Sequence, residues 1–201
     1  MQTWQDPRYG EFIDLNKDSD MKRLMLCVSV ATALAAAAAT AGPIADSVAQ
    51  TKVPLTTCMD LVAEQIGAAI DHLEFESRQG DPTYEFEVNA KGATYYVGCS
   101  AGTGLISAVD LVVKADDPRW TAVAKITPEQ ATSAALARYP GEVEEIKRLL
   151  LQSGPAVYEV DIEIPGGDGE FNIYVDAADG AIVQVNVEYW EIPESMPGGL
   201  D

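Results

Sequence analysis

The sequence predicts an α+β protein of two tandem units, each with one helix packed on an antiparallel β-meander of three to four strands. Three observations support this class: an internal repeat, helical spacing of apolar residues at the start of each copy, and strict alternation of apolar and polar residues after it. Apolar residues form 47% of the 201-residue chain, which is enough to build a packed core.

The internal repeat extends over three blocks of sequence. Residues 95–109 (YYVGCSAGTGLISAV) align without a gap with residues 171–185 (FNIYVDAADGAIVQV), at an offset of 76. The blocks that start at Tyr84 and Tyr158 are offset by 74, and those that start at Leu55 and Ile126 by 71. Loop insertions produce such a drift in offset, so one ancestral unit has been used twice.

Each copy opens with a helix. In the second copy, Thr127 is a predicted N-cap, Pro128 suits the first helical position, and Gln130 completes a capping box. The first helix is predicted to start at Thr56 or Thr57. Its apolar positions then repeat every four residues, at Cys58, Val62, Ile66 and Ile70.

Strands follow the helix in both copies. Tyr84, Phe86 and Val88 alternate with polar residues, which predicts a sheet with one face under the helix and the other in water. The outward positions are strongly acidic: Glu85, Glu87, Glu159, Asp161 and Glu163. Two interpretations stay open, a solvated face that keeps the protein soluble and a face that binds a basic partner or divalent cations.

The N-terminal region predicts export. Met21-Lys22-Arg23 is a short basic start before an alanine-rich apolar run, and small residues precede Gln50. This pattern is typical of a secretory signal peptide over residues 21–49, cleaved between Ala49 and Gln50, or alternatively after Ala41. Residues 1–20 are then interpreted as a non-native extension. The mature protein is expected to be secreted or periplasmic, with no stable membrane insertion after cleavage.

The formal charge of −19 argues against nucleic acid and anionic membrane surfaces as partners, since both repel a chain this acidic. Cys58 and Cys99 are the two cysteines left after cleavage, and both are predicted to point into the layer between helix and sheet. We expect a disulfide between them, the alternative being two buried free thiols.

The stretch Gly98-Cys99-Ser100-Ala101-Gly102 matches the G-x-S-x-G pattern of serine hydrolases. The single histidine, His72, precedes Ser100 instead of following it, and the repeat aligns Ser100 with Asp176 at the start of a turn. We therefore expect a turn residue, with a serine hydrolase using Ser100 as a weak alternative. No catalytic residue, metal site or cofactor is predicted. Zinc needs clustered cysteine and histidine, whereas the sequence offers one histidine and two dispersed cysteines after cleavage. Asp176-Ala177-Ala178-Asp179-Gly180 lacks the run of oxygen ligands of an EF-hand loop.

Both copies resemble PepSY domains, on the stretches ITPEQATSAALARYPG, YEVDIEI and FNIYVDAADGAIVQV. The first unit, residues 50–115, is more divergent than the second, residues 125–192; a linker (116–124) separates them and a flexible tail (193–201) follows. The resemblance implies a non-enzymatic binding or regulatory protein of the bacterial cell envelope whose protein partner is a peptidase that it restrains. The alternative is an acidic structural or cation-binding envelope protein. The sequence indicates neither the ligand nor the oligomeric state.

Overall fold

Eight antiparallel strands of this chain close into a barrel. The computed structural model describes residues 5–6, 10–11, 49–167 and 169–192. The chain separates into residues 1–43 and residues 44–201. In the first part, β1 (Gln5–Asp6) and β2 (Gly10–Glu11) form a short antiparallel pair.

The second part contains helix α1 (Leu55–Ile66). A run of four strands follows: β3 (Ile70–Arg78), β4 (Asp81–Ala90), β5 (Ala93–Ser100) and β6 (Ile106–Val112). Two helices come next, α2 (Pro118–Thr121) and α3 (Pro128–Leu136). The second run of strands is β7 (Val143–Leu150), β8 (Ala156–Glu163), β9 (Glu170–Asp176) and β10 (Ile182–Ile192).

Neighbouring strands in the barrel follow chain order, and β10 returns to pair with β3. The two strand pairings that join the four-stranded runs differ in length. β6 and β7 are paired at two positions, Leu111 with Leu150 and Val112 with Leu149. β10 and β3 are paired at six positions, with a register shift between Glu188 and Trp190. The α+β class is confirmed, and both repeats contribute to one closed sheet.

The first helix is fixed covalently. Cys58 and Val62 are its buried residues, and Cys58 forms a disulfide with Cys99 of β5, as predicted. Its N-cap position is Pro54, which provides no side-chain hydrogen bond. Ile70, expected on the same helical face, instead begins β3, because the helix ends at Ile66 and Gly67 takes the left-handed conformation.

The third helix is fixed by capping. Thr127 accepts a hydrogen bond from the Gln130 backbone amide, and the Gln130 side chain accepts one from the Thr127 amide. The predicted capping box is therefore confirmed, with Pro128 at the start of the helix. Ala131 and Ala135 are its buried residues, and the helix lies against β7, β8 and β9.

The apolar face of the sheet is the outer one, where the helices cover it. Its fully buried members include Leu73, Phe86, Val97, Val160 and Ile173. Cys99 belongs to this face, since its partner Cys58 lies on α1. Because side chains alternate across a strand, the polar residues between these positions point to the other side, which is the interior of the barrel.

The repeat extends to individual hydrogen bonds. In the first copy the Ala101 carbonyl accepts from the amides of residues 52 and 53, and Tyr84 donates to the Val53 carbonyl. In the second copy the Ala177 carbonyl accepts from the amides of residues 125 and 126, and Tyr158 donates to the Ile126 carbonyl. Both copies thus attach their entry segment to the sheet in the same way.

Two predicted segments lie outside the described residues: the signal peptide, apart from Ala49, and the tail over residues 193–201. Of the extension over residues 1–20, only β1 and β2 are described. Among the helices that the structure describes, none has the length and apolar character needed to cross a membrane.

Candidate functional site

The prediction that five acidic residues face water is wrong for three of them. Glu85, Glu159 and Asp161 are 3%, 1% and 4% exposed and point into the barrel. Glu87 is half-buried at one end of the barrel, and Glu163 is exposed. The alternation was identified correctly, but the sheet closes on itself, so its polar face lines an interior instead of meeting bulk water.

One group of interior carboxylates surrounds Arg78. Its guanidinium donates to Glu76 at 2.9 Å, to Asp110 at 3.5 Å, and also to Glu85. Burial raises the pKa of each of these three carboxyls, against the opposing attraction of Arg78. Burial alone would lower the pKa of Arg78, but Glu85 and Glu76 raise it well above its usual value. This group, Arg78 with Glu76, Glu85 and Asp110, is the arginine cluster.

A second interior group is centred on Lys147 of β7. Its Nζ lies 3.0 Å from Asp161 and 3.5 Å from Glu145, and 5.4 Å from the centre of the Tyr96 ring. Burial works to lower the pKa of Lys147, yet attraction to Glu159 and Asp161 raises it overall. Burial raises the pKa of Asp161 to about 6, with Lys147 opposing the rise.

An open cavity of about 480 Å³ lies beside Lys147, at one end of the barrel. Residues of all eight barrel strands line it, including Tyr96 and Val112. Its nitrogen bases are His72 and Lys147, whereas its carboxyls number eight: Glu74, Glu87, Glu144, Glu145, Asp161, Glu170, Glu188 and Glu191. We call this feature the acidic cavity. Its carboxyls exceed its bases four to one.

The surroundings of the acidic cavity raise the pKa of several of its groups. Burial, followed by repulsion from Glu74, raises the pKa of Glu188 to about 9. Burial and repulsion from Glu144 raise that of Glu170 to about 7. The ring of His72 lies 3.2 Å from Glu74 and 3.4 Å from Glu191, and the hydrogen bond with Glu74 raises the pKa of the ring.

Two deeply placed carboxyls of the cavity are incompletely bonded. Glu74 is 7% exposed and Asp161 4%, and one oxygen of each, Oε2 and Oδ1, has no hydrogen-bond partner in the described part of the chain. The other oxygen of Glu74 contacts His72, and that of Asp161 accepts from Lys147 at 3.0 Å. Both oxygens are shielded from solvent, so each is a buried acceptor without a donor, next to the cavity.

Sequence reasoning did not identify Arg78, Lys147 or His72 as members of a polar interior. A weak signal was present, because Glu76-x-Arg78, Glu145-x-Lys147 and His72-x-Glu74 each place opposite charges two residues apart. Residues two apart share a face of a strand. That spacing cannot show whether the face is inside or outside.

Ser100 is the first residue of a turn. Its hydroxyl accepts from the Thr103 amide at 3.2 Å, and its carbonyl accepts from the Gly104 amide. Asp176 repeats the pattern, since its side chain accepts from the Ala178 amide and its carbonyl from the Gly180 amide. His72 makes its contacts with Glu74 and Glu191, in the acidic cavity. The structure thus places the two residues of the hydrolase alternative in separate environments.

Within residues 49–167 and 169–192, no three histidine, cysteine or carboxylate side chains are grouped to hold a metal ion. In the loop over residues 176–180, the Asp176 carboxylate accepts from the Ala178 amide, and the Asp179 carboxylate accepts from the Ala181 amide. These two carboxylates therefore cap their own turn.

Fold and cavity together define an α+β protein built on a closed antiparallel barrel, with an acidic opening at one end. Comparison with known protein families identifies the family. The family model PepSY, described as "Peptidase propeptide and YPEB domain", matches residues 52–109 and 125–186. These two matches cover more than half of the chain, so the chain belongs to the PepSY family and carries two tandem copies.

Other comparisons are distant. No curated protein matches the chain. One solved structure, titled as that of "a putative lipoprotein" from Clostridium difficile 630, is similar at 22% identity with a TM-score of 0.30. The match covers 67% of this chain and 93% of that one.

Proposed function

We propose that this protein is an exported, non-enzymatic binding protein of the cell envelope that restrains a peptidase. Membership of the PepSY family over both copies is the observation that carries the proposal, because the family is described by its occurrence in peptidase propeptides. We also infer that each copy is one helix with its four-stranded meander, α1 with β3–β6 and α3 with β7–β10. The contacts of α3 with β7, β8 and β9 support this division.

Export rests on the signal pattern of residues 21–49. The N-terminus of the protein recovered from the cell envelope tests it by mass spectrometry. A chain that begins at Gln50 is the expected result, and a chain that retains residues 21–49 contradicts cleavage.

Restraint of a peptidase is tested by titration. Purified protein is added to a thermolysin-type metallopeptidase, and hydrolysis of a chromogenic peptide is followed. We expect the rate to fall until the two proteins are equimolar, while gel electrophoresis shows the added chain intact. An unchanged rate contradicts the proposal, and so does a fall that is accompanied by digestion of the added chain.

The non-enzymatic assignment has its own control in the same preparation. The protein is incubated with a model ester beside a Ser100→Ala variant. We expect no hydrolysis above buffer from either protein, because Ser100 bonds within its turn and His72 contacts other residues. Hydrolysis that is lost on substitution would establish the serine hydrolase alternative.

The acidic cation-binding alternative is favoured by one observation, the eight carboxyls around a single cavity. Calcium added during thermal unfolding separates it from the first proposal. A large rise in the unfolding midpoint without any peptidase effect supports the alternative, because a ligand that binds only the folded state stabilises it.

A further inference from the structure

The acidic cavity has the form of a built binding site. Its volume of about 480 Å³ falls within the range of protein pockets that hold small organic ligands. Tyr96 and Val112 give it an apolar wall, while Glu74, Asp161 and Glu188 are buried carboxyls. The rest of the lining is polar, with eight carboxyls and two bases, so charge dominates what this cavity can bind.

The charges that line the cavity favour a positively charged ligand. Lys147 is paired with Asp161 and Glu145, and His72 with Glu74 and Glu191, so both internal bases are already engaged. Glu74 Oε2 and Asp161 Oδ1 remain without a donor, although both side chains are more than nine-tenths buried. Buried acceptors without a donor are unfavourable, so a ligand that brings N–H groups and positive charge is stabilised here.

The geometry distinguishes an organic cation from a metal ion. A bare calcium ion takes six to eight oxygen ligands at 2.3–2.6 Å. The part of the chain that the structure describes offers no convergent group of three metal-binding side chains. An ammonium or guanidinium group instead uses separate acceptors at hydrogen-bond distance, and its alkyl chain packs on apolar surface.

We propose that the acidic cavity binds an alkyl ammonium or guanidinium group. Its N–H groups donate to the carboxylates of Glu74 and Asp161, whose shielded oxygens turn toward the ligand as it enters, and its methylene chain lies against Tyr96 and Val112. The ligand chemistry has two sources, a free aliphatic diamine and a lysine or arginine side chain of another polypeptide. This site goes beyond restraint of a peptidase and stands even if no peptidase is bound.

The test is calorimetric titration of the full chain with 1,5-diaminopentane and, separately, with N-acetyl-lysine methylamide. Calcium chloride at equal ionic strength is the third arm. We expect at least one amine to bind, more tightly than calcium, with amide NMR shifts concentrated on β3, β8 and β10 around the cavity. Preference for the diamine indicates a free amine ligand, and preference for the lysine derivative indicates a side chain, both in agreement with the proposal.

Variants assign the binding to the cavity. Asp161→Asn removes the charge of one free acceptor and is expected to weaken amine binding by about tenfold or more. Glu64→Gln removes one carboxyl on the exposed surface of α1 and is the matched control, with affinity unchanged. If Asp161→Asn fails to fold, Glu191→Gln, whose side chain is 50% exposed at the cavity opening, provides the same test with a smaller loss.

Three results would overturn the proposal. The first is no binding of either amine, and the second is tighter binding of calcium than of both amines. The third is equal amine affinity in the wild type and in a folded cavity variant.

Discussion

Arg78 is the counter-ion of three carboxyls inside the barrel. Glu76 is fully buried, and Glu85 and Asp110 are 3% and 4% exposed, so none of them can exchange its partner for bulk water. A carboxylate in such a place is stabilised by a paired charge or by protonation. The charge balance of the arginine cluster therefore depends on Arg78. Lys147, another interior cation, is already paired with Asp161 and Glu145.

Replacing Arg78 tests this dependence. Arg78→Met retains much of the side-chain volume but leaves buried carboxyls without a cation, and we expect a loss of about 3–5 kcal/mol in unfolding free energy. Arg119→Met is the matched control, because Arg119 pairs with Asp117 near the surface and its side chain is 36% exposed. Such a pair contributes about 0–1 kcal/mol. Urea denaturation of both variants measures the difference, and equal losses would contradict the interpretation.

Helices α1 and α3 are stabilised by different interactions. α3 has a capping box of Thr127 and Gln130, whereas α1 starts after Pro54 without a side-chain cap. α1 instead carries Cys58, which is bonded to Cys99 of β5. A helix of 12 residues is marginal in isolation. Attachment to the sheet therefore replaces the missing cap.

Removing the disulfide and removing the helix cap are expected to lower the unfolding free energy by different amounts. The disulfide closes a loop of 41 residues, so Cys58→Ala with Cys99→Ala is expected to lower the unfolding free energy by about 4 kcal/mol. Thr127→Ala removes one cap and is expected to cost about 1 kcal/mol. Denaturant unfolding of the oxidised protein measures both. A disulfide variant that loses no more than about 1 kcal/mol would contradict the dependence of α1 on its covalent link.

At the scale of the whole molecule, the local pattern was predictable from sequence and the closure was not. The alternation placed Glu85, Glu159 and Asp161 on one face correctly, and the repeat identified Ser100 with Asp176 as equivalent turn residues. An open sheet and a barrel have the same period of two, so periodicity cannot distinguish them. The distinction depends on pairing between β3 and β10, more than 100 residues apart. The acidic cavity exists only as a consequence of that pairing.

A barrel that buries carboxyls should become less stable as the pH rises. The folded pKa values of Glu188, Glu170 and Asp161 lie at about 9, 7 and 6, above those of unfolded glutamate and aspartate. Between the unfolded and folded values the folded state binds more protons, so the unfolding free energy falls with increasing pH. The raised pKa of His72 acts in the same direction, because its contribution is lost as the pH rises through the folded value. Asp117, whose pKa is lowered, acts in the opposite direction only in stronger acid.

Each proton that the folded state alone retains changes the unfolding free energy by about 1.4 kcal/mol per pH unit. We expect the urea midpoint at constant ionic strength to decrease steadily from about pH 5 to about pH 9. Glu188→Gln removes the group with the highest of the three pKa values and should flatten the upper part of this curve. Glu64→Gln, on the exposed surface of α1, is the matched control. A midpoint that is constant or rises over this range would contradict the prediction. It would mean that the interior carboxyls are already ionised in the folded protein, and that Arg78, Lys147 and His72 do not account for the balance of charge.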